Sequence, residues 1–270
     1  MANSPSATRG IPHLRKGESL GPGLRRVVLR CVTLSGQLAP GDLRAARVRL
    51  KRARAALHLA AHLSVPWALH ARRTLARMGR HLGPARDRAA AAERARACAE
   101  SLSGKAALCA RAIARIPPAT SELAAWIASL ERFRKSLESK SWPVLKRRSL
   151  APALAAAYRR LHHKARRAES GHSFHPWRKA AIDLREQLNV ADPFLDSRTR
   201  AARTHLHHVA RNLGLAGDWD AFIAMLDDNT LPGVPRSGRR RLARHARTER
   251  KAALRSARRA WRRFESADLA

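Results

Sequence analysis

From Leu24 onward, apolar residues recur three and four positions apart; alanine, leucine and arginine dominate, and β-branched residues are few. Such a pattern commits a chain to α-helices, because side chains at those spacings share one face of a helix with 3.6 residues per turn. The clearest case is 42–63, where Leu43, Ala46, Leu50, Ala53 and Leu57 make one apolar face. Helix breaks are legible at Pro66, Gly83-Pro84, Pro117-Pro118, Pro143, Pro193 and 231–238, since Pro and Gly punctuate helices. About eight to ten helices and essentially no strand are expected. Residues 1–23, rich in Gly, Pro and Ser, read as a disordered tail.

A row of cations flanks that apolar face. Arg44, Arg47, Lys51 and Arg54, with His58 beyond, follow a three-then-four spacing. On a helix they share a strip about 80° wide and about 21 Å long. Like charges in a row repel, so something negative and extended is expected to compensate them in use. The whole chain agrees: 55 Lys+Arg stand against 20 Asp+Glu, a formal net charge of +35. The expected partner is a polyanion: nucleic acid, polyphosphate or an anionic membrane face.

Other classes find little support. Cys31, Cys98 and Cys109 form no C-x-x-C and no zinc-finger spacing, so buried thiols in a reducing compartment are expected. The first residues contain no apolar signal core, and no apolar run approaches membrane-spanning length. A soluble, cytoplasmic protein is the expectation, with no membrane partner. Protein partners cannot be read from the chain.

An internal repeat is visible. L-G-P-A-R-D ends at Asp87 and L-G-L-A-G-D ends at Asp218, and Gly83 and Gly214 keep the same register. One common offset of 131 residues also pairs Arg47 with Arg178, Arg54 with Arg185, Arg72 with Arg203 and Arg80 with Arg211. Two related helical halves are expected, with a seam near 136–152. In each, Leu-Gly reads as a helix end with Gly left-handed after it, and Pro84 opens the next helix. Asp87 and Asp218 are expected at helix starts, or in salt bridges that orient a site arginine.

The segment R44-A-A-R-V-R-L-K-R-A-R54 followed by L82-G-P-A-R-D87 resembles the CHAD family, the conserved histidine α-helical domain. The second half matches as H175-P-W-R-K-A-A-I-D-L-R185 and L213-G-L-A-G-D218. The resemblance covers roughly 24–266, with a first half of about 24–135 and a second of about 152–266. It implies an all-α fold of two pseudo-symmetric four-helix bundles around a basic central groove or pore. It also implies binding of inorganic polyphosphate, with some members at polyphosphate granules. Arg47, Lys51, Arg52 and Arg54 match the family's basic positions, while Arg44 stands where the family has histidine. In the second motif His175, Arg178 and Arg185 match, but Ile182 and Asp183 replace two cations and Gly217 replaces a polar residue. The first half is therefore expected to bind more strongly.

Polyphosphate offers a line of charges and no bases to read. Its binder needs a track of cations, preferably Arg, whose planar fork grips phosphate oxygens. Low aromatic content (4%, one tyrosine) fits a ligand that needs no stacking. The candidate ligands of polyphosphate are Arg44, Arg47, Lys51, Arg52, Arg54, His58, Arg72, Arg80, His175, Arg178, Arg185, Arg203 and Arg211. The rival is a basic helical nucleic-acid binder: 236–263 holds 13 Arg+Lys and one acid, Glu249. Its plainer reading is a last amphipathic helix with Leu242, Leu254, Trp261 and Phe264 inward. Weak, non-specific nucleic-acid binding is the expected secondary property.

No catalysis is expected. Asp87, Glu93 and Glu100 are separated by Arg-rich sequence, Asp218, Asp220, Asp227 and Asp228 read as a helix start and end, and no phosphate-binding G-x-x-x-x-G-K-[ST] loop appears. No cofactor and no metal site are assigned, although His58 with His62, and His205 with His208, share helix faces. Groove histidines are instead expected to add charge below about pH 6.5, tightening binding there.

Overall fold

The computed structural model describes residues 12–115, 123–227 and 235–267. Residues 1–11 of the expected tail, Pro117-Pro118, Asp228 and 231–234 lie outside them. The described residues form ten α-helices and no strand: α1 (Leu20–Leu38), α2 (Leu43–His62), α3 (Ala68–His81), α4 (Gly83–Ser101), α5 (Gly104–Ala114), α6 (Leu123–Glu138), α7 (Leu150–Glu169), α8 (His175–Val190), α9 (Ser197–Asp227) and α10 (Arg236–Ser266). The expected helix over 42–63 is α2, opened by Asp42, whose carboxylate accepts the Ala45 N–H at 2.8 Å.

The chain divides into two compact units: Met1–His81 with Ser121–Arg203, and Leu82–Thr120 with Thr204–Ala270. Each unit therefore draws on both sequence halves. In the first, α2 is central, packing against α1, α3, α7 and α8, while α6 covers α1 and α3. The α2 apolar face is buried as expected, with Ala46, Leu50, Ala53 and Leu57 at most 3% exposed. Two polar bonds fix neighbours: Ser35 Oγ donates to the Ala46 carbonyl at 2.9 Å in the interior, and Trp126 Nε1 donates to the Met78 carbonyl at 2.9 Å in a partly buried place. The start of α1 passes so close to 143 that a Cβ on Gly21 would collide with the Pro143 carbonyl oxygen.

In the second unit α4 packs on α5 and α5 on α10. Its core gathers Ala91, Ala95, Cys98, Cys109, Ile113, Trp219, Phe222 and Leu242. Gly238 lets α10 approach α5, since a Cβ there would strike Cys109 Sγ. All three cysteines are free and buried, as expected.

The structure corrects three local expectations. Residues 12–23 are ordered: Leu14 is fully buried, its N–H donates to the Val190 carbonyl at 2.9 Å, and α1 already begins at Leu20. Burying one leucine and one backbone bond against a distant helix outweighs the local Gly/Ser composition. Neither Gly83 nor Gly214 is left-handed. Gly83 is instead the first residue of α4, with Pro84 in the first turn as expected. Gly214 lies inside the continuous α9. An interior glycine costs only about 1 kcal/mol, and Leu206, Val209, Leu213, Ala216 and Phe222, all fully buried, hold the helix together across it. Asp218 and Asp220 are accordingly mid-helix residues.

Candidate polyanion-binding surface

The row on α2 sinks as it runs. Arg44 is exposed, Arg47, Lys51 and Arg54 are half-buried, and His58 is buried. The cause is the central place of α2: from Ala55 to Ala60 every residue is buried, so that stretch has no solvent face.

Helix α8 supplies the facing charges. Glu186, only 2% exposed, accepts from Arg52 Nε at 2.7 Å through one oxygen and from Arg185 Nη2 at 2.6 Å through the other. Burial alone would raise this carboxyl, but Arg52 and Arg185 carry it down to about 2. Arg52, itself buried, is thus fully engaged inside the protein. On the same side Arg72 of α3 donates to Asp183 of α8 at 3.1 Å.

Between these pairs the cations outnumber their counter-charges. Burial pushes the Lys51 ammonium down to about 7, with Arg185, Arg47 and Arg178 pushing the same way and only Glu186 opposing. Arg54 is held below the usual arginine range by burial; Asp183 opposes this, and Arg72 and Arg80 reinforce it. The Arg54 Nε is buried without a hydrogen-bond partner. Two arginine pairs of the 131-residue offset, Arg47 with Arg178 and Arg54 with Arg185, therefore lie on the packed helices α2 and α8.

His58 does not carry charge here. Burial first, then Arg72 and Arg160, push it down to about 3, and His62 is lowered by burial and the same two arginines. Its Nε2 lies 3.3 Å from Arg160 Nη1, and its Nδ1 lies 2.8 Å from the Gln187 side-chain amide. A guanidinium only donates, so Nε2 accepts and the neutral ring holds its proton on Nδ1. Turning the Gln187 amide over brings Oε1, an atom otherwise buried without a partner, to the place of Nε2, where it accepts the Nδ1–H hydrogen bond. The expected gain of histidine charge near pH 6.5 is thus corrected for His58, a buried polar spacer between helices, and is moved to lower pH for the exposed His62.

The remaining candidates are scattered in role. Arg80 and His175 are exposed, and Arg203 is ion-paired to Asp192. Arg211 is exposed but belongs to the second compact unit. There Arg86 bridges both motif aspartates, Asp87 at 2.6 Å and also Asp218: the aspartates are salt-bridged, to an arginine outside the candidate ligands. Three partners escaped sequence reading: Glu186, Gln187 and Arg160. Each acts on a residue at least 100 positions away, so no local spacing marks them.

A model of the CHAD domain matches residues 30–202. The chain belongs to the CHAD family. No curated protein matches it. The CHAD family is associated with polyphosphate binding and granules, and its domain is generally a non-catalytic binding domain. The matched stretch ends near the start of α9, so α10 lies wholly beyond it. Among the described residues of this CHAD protein, no helix is long and apolar enough to cross a membrane.

Proposed function

We propose that this CHAD protein binds inorganic polyphosphate, without turning it over, on the basic surface built by α2, α8 and Arg72 of α3. The observation that carries the reading is the surroundings of Lys51: three arginines press on it, and the one nearby carboxylate is already shared by Arg52 and Arg185. Clustered, half-desolvated cations of this kind hold repulsion that a line of phosphates relieves. Arg47, Lys51, Arg54 and Arg178 are the contacts; Arg52 and Arg185 shape the surface through Glu186. Binding is lopsided towards α2, because Asp183 and Glu186 neutralise part of α8. A groove lined by both motifs, and attachment to polyphosphate granules, belong to the same proposal.

The test is binding of long-chain polyphosphate to the wild type and to Arg47→Ala/Lys51→Ala/Arg54→Ala. A loss of tenfold or more is expected in a variant that keeps its helical content, with affinity falling steeply as salt rises; the salt law is taken over from nucleic acids. Unchanged affinity in the folded variant rejects the surface. Displacement by short duplex DNA or RNA at equal phosphate concentration would favour the nucleic-acid reading instead. Phosphate release above background by the purified, metal-supplemented protein would show turnover.

A further inference from the structure

The second compact unit carries a different basic feature. On α10, Arg236, Arg240, Arg244, Arg247 and Lys251 follow one another at spacings of three and four, and all are exposed. The same rhythm continues through Arg255, Arg258 and Arg262, also exposed. At about 100° per residue the eight side chains share one stripe about 100° wide, and it runs about 39 Å along the helix. The opposite side of the helix is committed to the core: Leu242, Ala246, Ala257, Trp261 and Phe264 are fully buried. Glu249 lies about half a turn away from the stripe. Among the described residues only one of the eight is ion-paired, Arg247 with Asp227 at 3.1 Å, and both partners are more than half exposed. The first five cations also wall a cavity of about 670 Å³ against Leu226 and Asp227 at the end of α9.

We infer that this stripe is a second polyphosphate track, carried by the second compact unit and outside the matched family region. The inference rests on the reading of the chain as a polyphosphate binder. Two observations select the ligand. A row of arginines about 5.6 Å apart on a convex helix suits a flexible line of phosphates that can bend along it. A single-stranded nucleic acid would want aromatic stacking platforms, and the helix keeps its two aromatics, Trp261 and Phe264, inside.

The test uses the full chain carrying Arg240→Gln, Arg244→Gln, Lys251→Gln and Arg255→Gln. These sites are exposed and glutamine is a good helix former, so folding is preserved, as circular dichroism would verify. Labelled long-chain polyphosphate is titrated at several salt concentrations, beside the α2 triple variant. The expected result is a loss of about tenfold in affinity at low salt and a salt slope shallower by about 3, as befits four fewer phosphate contacts. An unchanged slope, with the α2 variant still impaired, overturns the track and leaves the polyphosphate reading standing. Wild type that fails to bind polyphosphate at all overturns both. Loss of duplex DNA binding with polyphosphate binding intact would make the stripe a nucleic-acid surface and overturn the inference.

Discussion

Helices α2 and α10 carry the same sequence device, cations at three-and-four spacing, and the fold treats them in opposite ways. The α2 row flanks a helix surrounded by four others, so past the exposed Arg44 its cations are half-buried and pressed together, while Glu186 and Asp183 nearby are paired to Arg52, Arg185 and Arg72 outside the row. The α10 row stands in solvent on a helix with one buried face. A buried row has its pKa values shifted and its stability coupled to its charge. An exposed row interacts with its ligand chiefly through counterion release. Spacing alone foretells a charged strip; only packing decides which kind it is.

The largest effect should come from the carboxylates. Glu186→Gln leaves Arg52 and Arg185 without their counter-charge in the interior, and a buried pair broken this way costs about 3–5 kcal/mol. Asp227→Asn breaks the exposed pair with Arg247 and should cost about 0–1 kcal/mol. Urea unfolding of both variants checks the contrast, and equal losses would erase the distinction between the two rows. The pH dependence follows with a definite sign. Glu186 is lowered to about 2 from an ordinary 4.5. Its stabilisation is therefore complete above pH 4.5 and is lost as pH falls from there towards 2; in Glu186→Gln that acid loss should shrink.

A second contrast concerns helix contacts. Gly21 faces a backbone oxygen at Pro143, which cannot swing aside, so Gly21→Ala should cost about 1–3 kcal/mol by overpacking. Gly238→Ala meets the Cys109 thiol, with the Lys105 carbonyl at 3.1 Å, and should lie at the lower end of that range. Thermal unfolding of the two variants measures it; a neutral Gly21→Ala would mean that α1 is free to move away from 143.

Lys51 supplies the pH test of ligand binding. Its folded value of about 7 lies below the ordinary 10.5, so the free protein should gain stability as pH rises from 7 to 10.5, where only the unfolded chain still holds the proton. Polyphosphate favours the charged form, so affinity should rise as pH falls through about 7. Lys51→Met should flatten both trends, whereas His58→Gln should leave the binding profile in place. A profile that vanishes in the histidine variant instead would restore charge to the histidines.

What was legible in the sequence was local. The α2 face, the extent of that helix and the row beside it all follow from spacing, and Pro84 acts where its chemistry predicts. What was not legible was long-range. Leu14 looks like part of a loose tail until Val190 is placed beside it. Arg52 looks like one more phosphate ligand until Glu186, 134 residues later, takes its guanidinium. Gly214 looks like a stop until the apolar residues on both sides are seen to continue one buried face. His58 has the composition of a pH sensor, and only its burial, with the arginines converging from α3 and α7, reveals that it stays neutral.

The smallest effects should separate the two rows most cleanly, because they differ in sign rather than size. Arg54 carries a charge that its surroundings disfavour, with Nε buried and unpartnered. Arg54→Met removes that charge while keeping much of the side-chain volume, so the free protein should become slightly more stable even as it binds polyphosphate more weakly. Stability and binding then oppose each other, as they do where a site holds strain for its ligand. Arg255 is exposed and carries no such conflict. Arg255→Gln should change stability by less than about 0.5 kcal/mol and flatten the salt slope by a little under one unit. Melting temperatures with and without polyphosphate test both. If Arg54→Met loses stability as well as affinity, then Arg54 is a structural residue like Arg52, and the α2 surface must be redrawn around Arg47 and Lys51 alone.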